Sequence, residues 1–378
     1  MLLKSRFIEM FGNPIVNEKK WKVVLLDDAC EGIGDGLHGT PKYDDLGDYP
    51  FINGNNLIDG VIKITTSTRM VNEETYKKHY TNINNNAILI SINGTLGKLA
   101  FYNGEKLMLG KSACYCNLKS NINRDFVYSV MKTEAFAGYL DSNSTSSTIK
   151  NIGLKAMRAF RLIQPPSKMQ IEYVDFAKQI DKSKFLLQQM IAKLELLKKS
   201  RFVEMFGDPV LNPYKLKKDS FRHICEELFA GGDKPSDIVL TKDETHPYPV
   251  YANGYENLGF MGFSSQCRVN KPAITISARG TIGFSCIRQA GFTPIVRLLT
   301  LIPKTGIDLD YLKFAIDFYS FTSSGTSQKQ LTVPDIAKYE VLVPDYSSQQ
   351  CFATFVHQLD KLKAILQKQL DDLVGSNK

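Results

Sequence analysis

The sequence predicts an α+β fold: two globular α/β domains joined by two long antiparallel coiled-coil helices, with a pseudo-twofold relating the halves. Three observations predict it. First, KSRFIEMFGNP at 4–14 returns as KSRFVEMFGDP at 199–209, changed only at Ile8/Val203 and Asn13/Asp208. A repeat this close makes the chain one unit written twice. Second, two stretches carry apolar residues at alternating spacings of three and four, the seam of a coiled coil. Third, the segments between them hold short β-type runs such as NAILISI, LAFY, YCNLK and PAITISA, broken by Gly and Asn turns.

Taken in order, residues 1–14 read as a helical segment that completes the C-terminal helix. Residues 15–165 form a first domain, with a helical stretch at 125–140. Residues 166–208 form the central helix. Pro165-Pro166 precede it, Ser167 is its expected N-cap, and Gly207 with Pro209 stops it. Its seam falls at Tyr173, Ala177, Ile180, Leu187, Ile191 and Leu194, with Lys184 interrupting. A second domain at 209–345, helical at 309–321, carries weaker echoes of the first. Asn253-Gly254 answers Asn53-Gly54, and AITISARGTIGFSCI (273–287) answers ILISINGTLGKLAFY (88–102). The C-terminal helix, 346–378, has Ser347 as expected N-cap. Its seam repeats the central one at Phe352, Val356, Leu359, Leu366, Leu370 and Leu373, down to the interrupting Lys363. Leu187, Leu194, Leu366 and Leu373 are expected in the interhelical core. In this register Lys199 aligns both with Lys378 and with Lys4, so the two ends meet at one point of the unit and predict a ring-closed arrangement, with a plain tandem duplication trimmed at both ends as the alternative.

Composition bounds the function. A 43% hydrophobic chain builds a globular core, and the net charge of +8 is compatible with a nucleic-acid partner. The N-terminus lacks the apolar stretch of a signal peptide, and no run approaches 18 apolar residues, so neither secretion nor a membrane span is expected. Seven scattered cysteines without a Cys-x-x-Cys pair argue against a disulfide framework or a structural zinc, and suit a reducing cytoplasm.

Catalytic motifs fail on context. Gly34-x-Gly36-x-x-Gly39 has Pro41 where a nucleotide-binding helix should run, and reads as a flexible loop. GEKLMLGKS (104–112) has the wrong spacing for a phosphate loop and precedes a β-type run. NPY at 212–214 reads as a turn. The five histidines lack metal-ligand spacing, and no nucleophile elbow or nuclease triad can be assembled. The chain is expected to hold no catalytic, metal or cofactor site.

Two similar domains on a helical spacer make a ruler. About 40 helical residues span about 60 Å at about 1.5 Å per residue, against about 34–36 Å for a turn of DNA. The duplicated helix ends KSRFIEMFG and KSRFVEMFG followed by Asn/Asp-Pro, the NGTLGK and RGTIGF segments, and the order domain–helix–domain–helix together resemble specificity subunits of Type I restriction–modification enzymes. The resemblance covers essentially the whole chain, with the helix terminus moved to residues 1–12. It implies a non-catalytic subunit whose two target-recognition domains each read half of a bipartite site in double-stranded DNA. It further implies two modification subunits docked on the helices, carrying S-adenosylmethionine for adenine-N6 methylation, and two restriction subunits using ATP and Mg. The rival readings are a stand-alone DNA-binding scaffold or repressor, and an autonomous methyltransferase or nuclease.

For DNA contacts, cations serve phosphates and amides serve base edges. The candidates are Lys42, Asn55, Lys98, Lys111 and Lys150 in the first domain, and Lys234, Asn253, Arg279 and Lys329 in the second, each with a solvated surface residue as the plainer alternative. Arg6, Phe7, Phe11, Arg201, Phe202 and Phe206 repeat between the copies. They are assigned to partner contacts, with core packing as the alternative. Trp21 is expected to pack at the domain edge.

Overall fold

The computed structural model describes residues 2–146, 148–318 and 330–375. The chain divides into two compact units, Met1–Leu186 with Leu370–Lys378, and Leu187–Gln369.

In the first unit, the N-terminal helix Leu2–Phe11 ends at Gly12, whose φ of +72° reverses the chain at a position that suits a residue without Cβ. Strand Lys22–Leu25 then pairs antiparallel with Arg161–Gln164, tying the start of the domain to its end. Inside this closure lies a four-stranded antiparallel sheet in the order Cys30–Asp35, Ala113–Leu118, Ala87–Ser91, Leu99–Phe101. The run Ala87–Ser91 is buried at every position, because alternate side chains enter different cores. Ile88 and Ile90 join the cluster of Phe126, Phe136 and Phe160, while Ala87 and Leu89 face Ile52, Leu57 and Leu109. Strand Tyr49–Ile52 pairs with Met70–Val71 and, in parallel, with Met108–Leu109.

The second unit repeats this plan. Lys218–Ser220 pairs with Glu340–Leu342, and the four-stranded sheet runs Cys225–Ala230, Leu299–Pro303, Ala273–Ile276, Ser285–Arg288. Tyr248–Tyr251 pairs with Phe260–Ser264 and, in parallel, with Thr293–Pro294.

The central helix runs Ser167–Phe206 and the C-terminal helix Tyr346–Val374. Within the second unit they lie antiparallel: Lys198 Nζ reaches Asp360 at 2.5 Å, and Lys363 Nζ reaches Glu195 at 2.7 Å. The interrupting Lys363 is thus an ion-pair partner, and Lys198, only 5% exposed, is neutralised from both helices. Lys184 pairs with Asp181 of its own helix. Of the four leucines expected in the interhelical core, Leu366 is buried, while Leu187, Leu194 and Leu373 are half-buried. Coiled-coil seams cover less of each side chain than a globular core does.

Three local expectations are corrected. The C-terminal helix is capped by Asp345 rather than Ser347: its carboxylate accepts from Ser348 N at 2.9 Å and Ser348 Oγ at 2.7 Å. Hydrogen bonds from Ser347 and Ser348 hold the Asp345 pKa down to about 2. The stretch 125–140 is two helices, Arg124–Met131 and Glu134–Ser142, because Thr133 caps the second. The segment read as a flexible glycine loop is strand as far as Asp35, and Gly36 lies so close to Leu109 that a Cβ would fall 2.1 Å from its backbone.

Two expectations follow. Phe202 is fully buried, so Phe202→Ala should cost about 3–5 kcal/mol in urea denaturation. Burial raises the Glu195 carboxyl, but hydrogen bonds and charges from Lys363 and Lys198 outweigh it and hold the pKa below the usual value. Stability from this network is present above the unfolded pKa of about 4.3 and is lost as pH falls through the folded one. Glu195→Gln should therefore lose less stability than the parent chain as the pH falls from about 5 to about 2.

Candidate nucleic-acid interface

Each unit gathers several sequence-distant loops along one edge through backbone hydrogen bonds. In the first, Leu37 N donates to Leu109 O at 2.8 Å and Lys111 N to Leu37 O at 3.1 Å. Gly54 N donates to Ser112 Oγ, which in turn donates to Asn53 Oδ1 at 2.8 Å. Ile92 N donates to Ser112 O at 3.0 Å, and Gly94 N to Lys150 O at 2.9 Å. The loops bearing Asn55, Lys98, Lys111 and Lys150 are therefore neighbours. The turn after Ala87–Ser91 is fixed from within: buried Ser91 Oγ donates to Thr95 O at 2.6 Å and accepts from Lys98 N at 2.8 Å.

The second unit builds the same edge with different side chains. Arg297 N donates to Gly231 O and Val296 N to Gly232 O. Asn253 Nδ2 donates to Val296 O at 2.6 Å, while its Oδ1 accepts from Ala278 N at 2.7 Å. Leu331 N donates to Ala278 O at 2.9 Å.

The candidates separate on this geometry. Lys42, Lys111 and Lys234 are exposed and Lys98 half-buried. None of them has a carboxylate partner among the ion pairs of the described residues. Lys42 lies further along the loop that starts at Leu37 and is not brought to the others by the bonds above. Asn55 is exposed in a short 3-10 turn. Lys150 is drawn back onto Asp141. Asn253 serves the frame of this edge, with one amide hydrogen on Val296 O and its Oδ1 accepting from Ala278 N. Arg279 commits Nε and Nη2 to Gln330 Oε1 at 3.0 and 2.7 Å. Lys329 lies outside the described residues.

The partner-contact assignment of the phenylalanines is also corrected. Phe7, Phe11, Phe202 and Phe206 are at most 1% exposed. Two phenylalanines one turn apart share a helix face, and here that face enters the core. Arg6 and Arg201 stay partly exposed, pairing with Glu9 and Glu204 on their own helices.

Sequence reasoning missed Arg297 and Arg288. Arg297 is exposed, sits at φ +60° after Val296 at +52°, and has no carboxylate partner among the described residues. Nothing in its local sequence marks it, since only the pairing of Thr293–Pro294 turns it to the edge. Arg288 is 6% exposed, with its guanidinium 3.8 Å from the Tyr251 ring centroid. It donates to Thr275 Oγ1 at 3.0 Å and to Leu258 O at 2.6 Å. Burial lowers its pKa. It braces the turn around Asn257 and Leu258, both at positive φ.

A family model described as the Type I restriction modification DNA specificity domain matches residues 18–196 and 224–374. The chain belongs to that family. A Mycoplasma pneumoniae protein named as a type I specificity subunit is 30% identical over 237 residues, 59% of this chain and 63% of its own length. A second from the same organism is 31% identical over 158 residues, 41% of this chain and 47% of its own length. These matches thus span less than two thirds of either relative. The Type I S subunit of M. genitalium superposes with a TM-score of 0.56 at 16% identity, covering 94% of this chain and 93% of that one. A chain from a structural study of complex assembly and conformational transition of the type I R-M system gives 0.60 at 14% identity, covering 93% and 94%. At such identities the likeness carries the fold: two specificity domains with long helices.

For Arg288→Lys, loss of the flat ring contact and the second donor should leave the fold intact. It should destabilise by about 1–3 kcal/mol and speed amide exchange at 254–259 in hydrogen-exchange measurements.

Proposed function

We propose that this chain is the DNA-reading specificity subunit of a Type I restriction–modification complex. Each unit would read one half of a bipartite site, and catalysis would come from other subunits. The observation that carries this reading is the pair of family matches on two units with the same sheet order. The drifted loop edges support it: both copies share a framework but expose different cations and amides, as two readers of unlike half-sites would.

On this reading Lys42, Lys98 and Lys111 in the first unit, and Lys234 and Arg297 in the second, contact phosphates. Asn55 and the free part of the Arg279 guanidinium lie at base edges. Lys150 joins them by leaving Asp141, and Lys329 follows by its equivalent position in sequence. Two modification subunits supply S-adenosylmethionine, and two restriction subunits supply ATP-driven cleavage. Arg6 and Arg201 remain candidates for the partner surface. The complex works on cytoplasmic DNA.

The test is salt-dependent binding of the chain, with its modification partner, to duplexes carrying its methylated motif. Lys98→Ala and Lys111→Ala should each reduce the slope of log affinity against log salt by about 0.9 and weaken contact with one half-site. Lys234→Ala and Arg297→Ala should do the same at the other. A chain with all four replaced that keeps parental affinity and slope would overturn this interface.

A further inference from the structure

The turns that follow Ala87–Ser91 and Ala273–Ile276 are one frame carrying two different side chains at the same point. Gly97 N donates to Ser91 O at 2.9 Å, and Gly283 N to Ser277 O at 3.0 Å. Ile92 and Ala278 are each gripped from both sides. Ile92 N donates to Ser112 O, and Ile92 O accepts from Ile152 N, both at 3.0 Å. Ala278 N donates to Asn253 Oδ1 at 2.7 Å, and Ala278 O accepts from Leu331 N at 2.9 Å. The next residue, Asn93 or Arg279, therefore leaves the backbone at an equivalent, fixed point of each unit. Gly94 and Gly280 come after it at φ +76° and +68°. A Cβ added at either glycine would meet nothing within 4 Å, so the turn opens outward there.

Between NGTLGK and RGTIGF the frame is kept and the two end positions differ. The residue opposite changes in step. Asn151 lies across from Asn93 in an isolated antiparallel bridge, and Gln330 holds the same place before Leu331 as Asn151 does before Ile152. The longer amide reaches the longer side chain. Gln330 Oε1 accepts from Arg279 Nε at 3.0 Å and Nη2 at 2.7 Å, which occupies the side edge of the guanidinium. Its end edge, a parallel pair of N–H bonds on Nη1 and Nη2, is left over. Arg279 is half-buried and makes no ion pair among the described residues, so the brace fixes its plane without cancelling its charge. A phosphate asks only for charge at the right distance, which the exposed lysines supply without a brace. A base edge asks for a donor pair in a fixed plane. Asn93 is also half-buried, and its amide has no hydrogen-bond partner among the described residues. It presents a donor and an acceptor where Arg279 presents two donors.

We infer that positions 93 and 279 are equivalent base-reading positions of the two units. Arg279, held in plane by the positioning residue Gln330, takes O6 and N7 of a guanine in one half-site. Asn93 takes N7 and the N6 amino group of an adenine in the other. This assignment rests on the proposed function, and names the base that one position of each reader selects.

The experiment places the full chain with its modification partner in a host and maps the methylated motif by sequencing. The purified complex is then bound to duplexes changed at one base pair at a time. The parent should prefer a guanine in one half by about tenfold or more. Arg279→Ala and Arg279→Lys should both abolish that preference, since an ammonium keeps the charge but not the fork. Gln330→Ala should weaken it at the same position and no other. The preferences of the opposite half should hold in all three, which excludes misfolding as the cause. Asn93→Ala should relax an adenine in that opposite half, and Asn93→Arg with Asn151→Gln should turn the same position toward guanine. An Arg279→Lys chain that keeps every base preference, or an Arg279→Ala chain weakened equally on all sequences, makes Arg279 a phosphate contact. Either result overturns the assignment and leaves the proposed function standing. A parent complex that selects no site at all overturns the proposed function and the assignment with it.

Discussion

In each unit the end of a helix enters the core through two phenylalanines one turn apart, and the rest of the unit is arranged around that insertion. Phe7 and Phe11 meet Tyr173 at 5.3 and 5.6 Å and Phe126 at 6.3 and 5.1 Å. Phe202 and Phe206 meet Phe352 at 5.4 and 5.7 Å and Tyr311 at 5.8 and 5.0 Å. One ring lies near-parallel and the next edge-on in both clusters. Such aromatic pairs favour fixed orientations as well as burial. The cluster joins three things at once: the ending helix, a long helix, and the short helix packed beside the sheet. Even its rim is repeated, with the Arg6 guanidinium 6.0 Å from the Phe176 ring and that of Arg201 5.9 Å from Phe355.

That constraint explains what is copied and what has drifted. A residue in the clasp touches several elements, so a change there opens a cavity that its neighbours cannot fill. The same logic covers Gln170 and Gln349, each donating to the carbonyl of a proline five residues earlier at 2.8 Å. The loop edges carry no such burden. Asn53 accepts from a serine hydroxyl, whereas Asn253 bridges two backbone groups. The backbone path survives both solutions, which frees the outward side chains to differ. The proposed function, two recognition units on one chain, suits this combination of a shared scaffold and independent faces.

The helices, their stops, the strands and the duplication were legible because each is written in local pattern: period, breaker, exact repeat. The outward-facing lysines were partly legible, as charge in glycine-rich turns. Other features were invisible for a physical reason. Whether Phe7 and Phe202 face a partner or the core depends on which elements pack against the helix end. That Asn253 serves the frame depends on a carbonyl 43 residues away. Arg288 looks like an ordinary strand-end cation until Tyr251 and Leu258 close over it. By itself, then, the sequence determined a duplicated α+β chain with coiled-coil helices and polar loop-borne candidates, since periodicity and repetition need no partner to be read. Only the tertiary structure decided which side chains are spent inside the fold and which are left outside it, because a hydrogen bond or a buried ring is a property of two distant segments together.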